Sequence, residues 1–89
     1  MSFAAKDLSV LAYANGFTLW HYTTPDLGAD VDTAGYFNEA ANMLRVGDML
    51  FANVDTDGTP AAGIYLVNSN ASGIVDVTDL TQVGAANTD

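Results

Sequence analysis

A chain of 89 residues with 11 acidic side chains and two basic ones, Lys6 and Arg45, carries a formal net charge of −9. Phosphate backbones and anionic bilayers both require clustered Lys and Arg, so this balance speaks against nucleic acid and against acidic membrane as partners. Cysteine is absent, which removes a disulfide framework and a thiolate metal site.

Apolar residues make up 49% of the sequence, as in a globular domain rather than a disordered chain. The length fits a single domain over residues 1–89. In so short a chain, apolar burial and ordering entropy nearly cancel. Small domains close that gap with a disulfide, a metal or a partner subunit. With no cysteine, the expectation is a homo-oligomer. No apolar run is long enough to span a bilayer. Asp7 falls where a signal peptide would carry its apolar core, so synthesis in the cytoplasm without export by that route is expected.

In chain order, residues 1–16 leave two readings open: the first strand of the sheet, or an arm that pairs with a neighbouring subunit. Asn15-Gly16 closes the segment with a turn. Residues 17–24, FTLWHYTT, form the clearest strand, rich in aromatic and β-branched side chains. Phe17, Leu19, His21 and Thr23 share one face, and Thr18, Trp20, Tyr22 and Thr24 the other, with large groups on both. Trp20 and Tyr22 fit a core position and also fit a partner contact, with burial statistics favouring the core. Residues 25–34 read as a loop loaded with Asp26, Asp30 and Asp32.

The chain is organised around residues 35–54, GYFNEAANMLRVGDMLFANV. Tyr36, Phe37, Ala40, Ala41 and Leu44 recur at helical spacing and predict one short amphipathic helix. Gly47 is placed to end it, and residues 48–54 follow as a strand apolar on both faces and therefore central. Asp55-Thr56-Asp57-Gly58 predicts a hairpin, with a returning strand over about residues 61–69. Gly63 marks a bulge or a close backbone approach. Residues 70–73 predict a turn and residues 74–77 a third strand of the meander. Leu80 and Val83 add a last apolar contact, and residues 84–89 form a mobile polar tail. The resulting fold class is mainly β: a small antiparallel barrel or sandwich with one short helix packed on it.

Chemistry has little purchase. Residues 53–58 mimic the opening of a calcium loop, but its twelfth position, which needs a bidentate acid, is Ile64. His21 is the sole histidine and sits mid-strand, where a structural role is expected. Ser2, Ser9, Ser69 and Ser72 lie outside any nucleophile elbow, and no glycine pattern cradles phosphate. No catalytic residues, no metal and no cofactor are therefore expected.

Residues 12–22 (AYANGFTLWHY), Gly35-Tyr36-Phe37 and Leu44-Arg45-Val46-Gly47-Asp48 together resemble small structural proteins of tailed bacteriophages, in particular head decoration (cement) proteins. The resemblance covers about residues 8–78. It implies a non-enzymatic, trimeric, β-rich virion protein on the capsid exterior that stabilises the head by binding the major coat protein. It further implies that residues 3–13 act as an arm extending a coat-protein sheet. Phe3, Leu8, Val10, Tyr13, Trp20 and Tyr22 are then the candidate partner contacts. The alternative is a tail or head-fibre module that meets a host surface through Trp20 and Tyr22. On the arm reading, removal of residues 1–12 is expected to spare the fold and weaken assembly.

Overall fold

The structure is a computed structural model that describes residues 3–84 and 86. Six strands form one mixed sheet: β1 (Leu8–Ala14), β2 (Phe17–Thr23), β3 (Met49–Val54), β4 (Ala61–Ala71), β5 (Ile74–Val77) and β6 (Thr81–Val83). The order across the sheet is β1-β2-β3-β4, and the far edge of β4 is shared by β5 and β6. Among the described residues the single α-helix, α1, is the four-residue turn Gly28–Val31. The chain is thus mainly β with one short helix.

Residues 1–16 resolve, over their described part, to a strand of the protomer's own sheet. β1 pairs antiparallel with β2, Ala14 facing Phe17 across Asn15-Gly16. Both turn residues have positive φ, 55° and 76°, the two-residue hairpin geometry whose twist matches its strands. Ser72-Gly73, at 54° and 79°, joins β4 to β5 in the same way. Asp55, Thr56, Asp57 and Gly58 lie in the turn from β3 to β4, where Asp55 Oδ2 accepts a hydrogen bond from Thr59 N.

Two features depart from the antiparallel meander. β2 and β3 run parallel, Leu19 facing Met49 and Tyr22 facing Ala52. Parallel neighbours need a long crossover, and residues 24–48 supply it. The other is β6, absent from the sequence reading. It continues the path of β5 along β4, because Val77 faces Val67 and Thr81 faces Ile64. Thr78, Asp79 and Leu80 therefore stand opposite Leu66 and Tyr65, a one-residue bulge that splits a single edge into two strands. Gly63 is a close approach: a Cβ there would sit 2.5 Å from the Thr81 carbonyl oxygen.

The helix expected over Tyr36–Leu44 does not form. A 3-10 turn, Asn38–Ala40, stands in its place, inside a run of bonds from residue i to i−3 such as Tyr36 N to Thr33 O and Met43 N to Ala40 O. Side chains and strands take the groups that an α-helix would use. Gly35 N donates to Val75 O, Val75 N donates to Asn38 Oδ1, and Asn70 Nδ2 donates to the carbonyls of Ala41 and Leu44. The apolar spacing still does its packing work, since Phe37, Ala40 and Leu44 are buried while Asn38, Glu39 and Asn42 are exposed. The segment 25–34, expected as a loop, contains α1, which buries Val31.

The crossover covers one face of the sheet. Trp20 and Tyr22 from β2, Leu50, Ala52 and Val54 from β3, Tyr65 and Val67 from β4, and Val75 and Val77 from β5 meet Val31, Phe37, Ala40 and Leu44 there. Phe3 completes an aromatic cluster, its ring centroid 5.5 Å from Tyr22 and 5.4 Å from Phe37.

Candidate functional site

Two acidic side chains are buried in the covered half, and neutral donors satisfy both. Asp48, which opens β3, accepts hydrogen bonds from Thr18 N, Trp20 Nε1 and Arg45 N, each at 3.1 Å. Asp26 Oδ2 accepts from Tyr36 Oη at 2.6 Å. That proton assignment orients a chain: Ala4 N donates to Tyr22 Oη, which donates to Tyr36 Oη, which donates to Asp26. Burial, followed by the bonds to Asp26 and Tyr22, raises the Tyr36 hydroxyl far above its ordinary value. Burial, followed by the charges of Asp32 and Asp79, pushes Tyr65 up to about 12. Both groups hold the crossover against the sheet, and the Tyr65 hydroxyl donates to Gly28 O at 3.0 Å.

A second acidic group lies at the β5 edge. Asp32 is raised from its ordinary value by burial first, then by the charge and hydrogen bond of Asp79, with smaller effects of Asp76 and Asp30. Among the described residues, no group of three or more His, Cys, Asp or Glu is arranged to hold a metal ion.

The candidate partner contacts separate into two sets. Phe3, Trp20 and Tyr22 are buried in the protomer's own core. Leu8 packs partly against that core, whereas Val10 and Tyr13 are 55% and 63% exposed. Every residue of β1 after Leu8 is exposed, and among the described residues one side of the strand has no neighbour in the sheet. No charged residue occurs from Leu8 to Ala14. Edge strands are ordinarily guarded by charge, proline or a covering segment. The opposite edge is so guarded, by Asp76, Asp79 and the bulge at residues 78–80. β1 has only a register shift between Val10 and Ala12.

Large side chains on both faces of residues 17–24 lead one to expect both faces covered, but among the described residues only one is. Antiparallel sheets with one wet face alternate apolar inward and polar outward. Here most of the outward positions are apolar too. Three rows cross the strands: Leu19–Met49–Leu66, His21–Phe51–Ile64–Thr81 and Thr23–Asn53–Ala62–Val83. No residue in these rows is acidic, Lys or Arg. A shallow cavity of about 350 Å³ opens between the second and third rows, lined by His21, Phe51, Asn53, Ala62, Ile64 and Val83 among others. Asn53 Nδ2 lies 3.0 Å from His21 Nε2. Ser9 is the cross-strand neighbour of His21. Ser69 and Ser72 lie at the far end of β4 and in the turn after it. Ser2 and most of the tail, residue 85 and residues 87–89, lie outside the described residues.

No protein-family model matches this chain, and comparisons with curated proteins and with solved structures return no match.

Proposed function

We propose that this chain is a non-enzymatic structural protein of the bacteriophage virion, a decoration protein that fastens to a neighbouring coat subunit by strand addition along the free side of β1. The observation that carries the reading is the unguarded edge, uncharged from Leu8 to Ala14 and exposed beyond Leu8. Main-chain hydrogen bonds to an added strand supply affinity there, and Val10 and Tyr13 supply side-chain contact. Many copies on one particle turn weak single contacts into firm attachment. The phage assignment itself rests on the sequence resemblance. In this form the chain offers a docked edge rather than a free arm, because Phe3 anchors the segment in the core.

The host-surface alternative relies on Trp20 and Tyr22, and both are buried. Cryo-electron microscopy of particles bearing the chain tests the proposal: density on the capsid exterior with β1 against a coat strand is expected. Particles without the chain, or attachment that survives Val10→Lys and Ala12→Lys, would overturn it.

A further inference from the structure

We infer that two copies of this chain pair face to face through the uncovered side of the sheet, about a two-fold axis that runs across the strands along the row His21–Phe51–Ile64. This goes beyond the proposed attachment through β1 and does not depend on it.

Charge selects the occupant. The face is neutral on a chain of net charge −9, and Met49, Phe51, Leu66 and Val83 on it are 39%, 41%, 37% and 60% exposed. Another acidic surface of the same chain could not leave water against it. The identical face could, because it brings no charge with it. An isologous contact requires self-complementarity, each residue meeting under rotation the residue that meets it. A two-fold axis across the strands exchanges the two ends of the sheet. It lays Leu19, Met49 and Leu66 of one copy over Thr23, Asn53 and Ala62 of the other, and so over the cavity beside them. Phe51 then faces Phe51.

Five strands at about 4.8 Å spacing and about six residues of about 3.3 Å each give a face of roughly 500 Å² in projection. Side-chain relief raises the accessible area above its projection, towards the roughly 800 Å² per partner of a stable interface.

Light scattering of the purified chain should give twice the 9.3 kDa of one copy. Phe51→Lys and Leu66→Lys should each halve that mass with an unchanged circular dichroism spectrum, while Val10→Lys on β1 should leave it unchanged. If a lysine variant does not fold, the double variant Met49→Cys with Asn53→Cys decides the matter, because it should form disulfides between copies on oxidation. A monomer at all concentrations overturns the inference. So does a trimer, a pair that survives both lysines, or a double-cysteine chain that stays uncrosslinked.

Discussion

The indole N–H of Trp20 donates to Asp48 Oδ2 at 3.1 Å, across 28 residues of sequence and between two parallel strands. The same carboxyl group receives Thr18 N and Arg45 N, so it ties β2, the end of the crossover and the start of β3 into one buried joint. Replacing Asp48 with Ala would leave three donors without their acceptor, the Trp20 indole N–H buried and the other two part-buried. Each costs about 1–3 kcal/mol, and a loss of about 3 kcal/mol or more is expected in urea unfolding followed by Trp20 fluorescence. Asp48→Asn, which keeps one acceptor oxygen, should lose less.

Phe37 is 1% exposed and packs edge-on against Phe3, Tyr22 and Tyr36. Phe37→Ala should cost about 3–5 kcal/mol, because the surrounding rings cannot collapse into the space. Phe3 joins the same cluster. Removal of residues 1–12 should therefore destabilise the body of the protein, in contrast to the behaviour expected of a free arm. Circular dichroism melts of the truncated chain check this.

The hydroxyl chain ending at Asp26 predicts that Tyr36→Phe lowers stability by about 1.5–3 kcal/mol, the range for a hydrogen bond to a charged group. Tyr36→Phe should also loosen the crossover before the sheet, which native-state hydrogen exchange of residues 28–44 would detect.

The tyrosine shifts set an alkaline limit. Tyr65 is raised to about 12 by burial, and Tyr36 is raised as well. In the folded state each holds its proton at pH values where the unfolded chain has released it. Stability is therefore complete below about pH 10 and falls as pH rises towards 12. Tyr65→Phe should flatten this decline in a series of melts. Asp32 obeys the same sign in the acid range. Its raised value means that the folded chain gains stability as pH falls from neutral through the carboxylate range. Asp32→Asn should raise the melting temperature at neutral pH, with the gain vanishing in acid.

Local chemistry made much of this fold legible. The strand at residues 17–23, the turns at Asn15-Gly16 and Asp55–Gly58, and the alternation of Tyr65 and Val67 with Ile64 and Leu66 follow from residue type and period two. The helix did not, because Asn38 and Asn70 capture backbone groups that only the folded sheet brings near. Neither did the parallel pairing of β2 and β3, which no local pattern encodes, nor β6, whose three residues are too few to show a period. Asp48 read only as the start of the strand 48–54, since nothing in its neighbourhood in sequence announces Trp20 as a donor. The candidate surface was half visible. Large residues on both sides of residues 17–24 signalled two covered faces, but the described residues supply cover for only one.

The central claim is that this chain is completed by neighbours through uncharged sheet surface. The melting temperature measured across a wide range of protein concentration tests it most directly. Self-association through the folded state predicts a rise with concentration. A melting temperature independent of concentration, with the chain monomeric throughout, would contradict it.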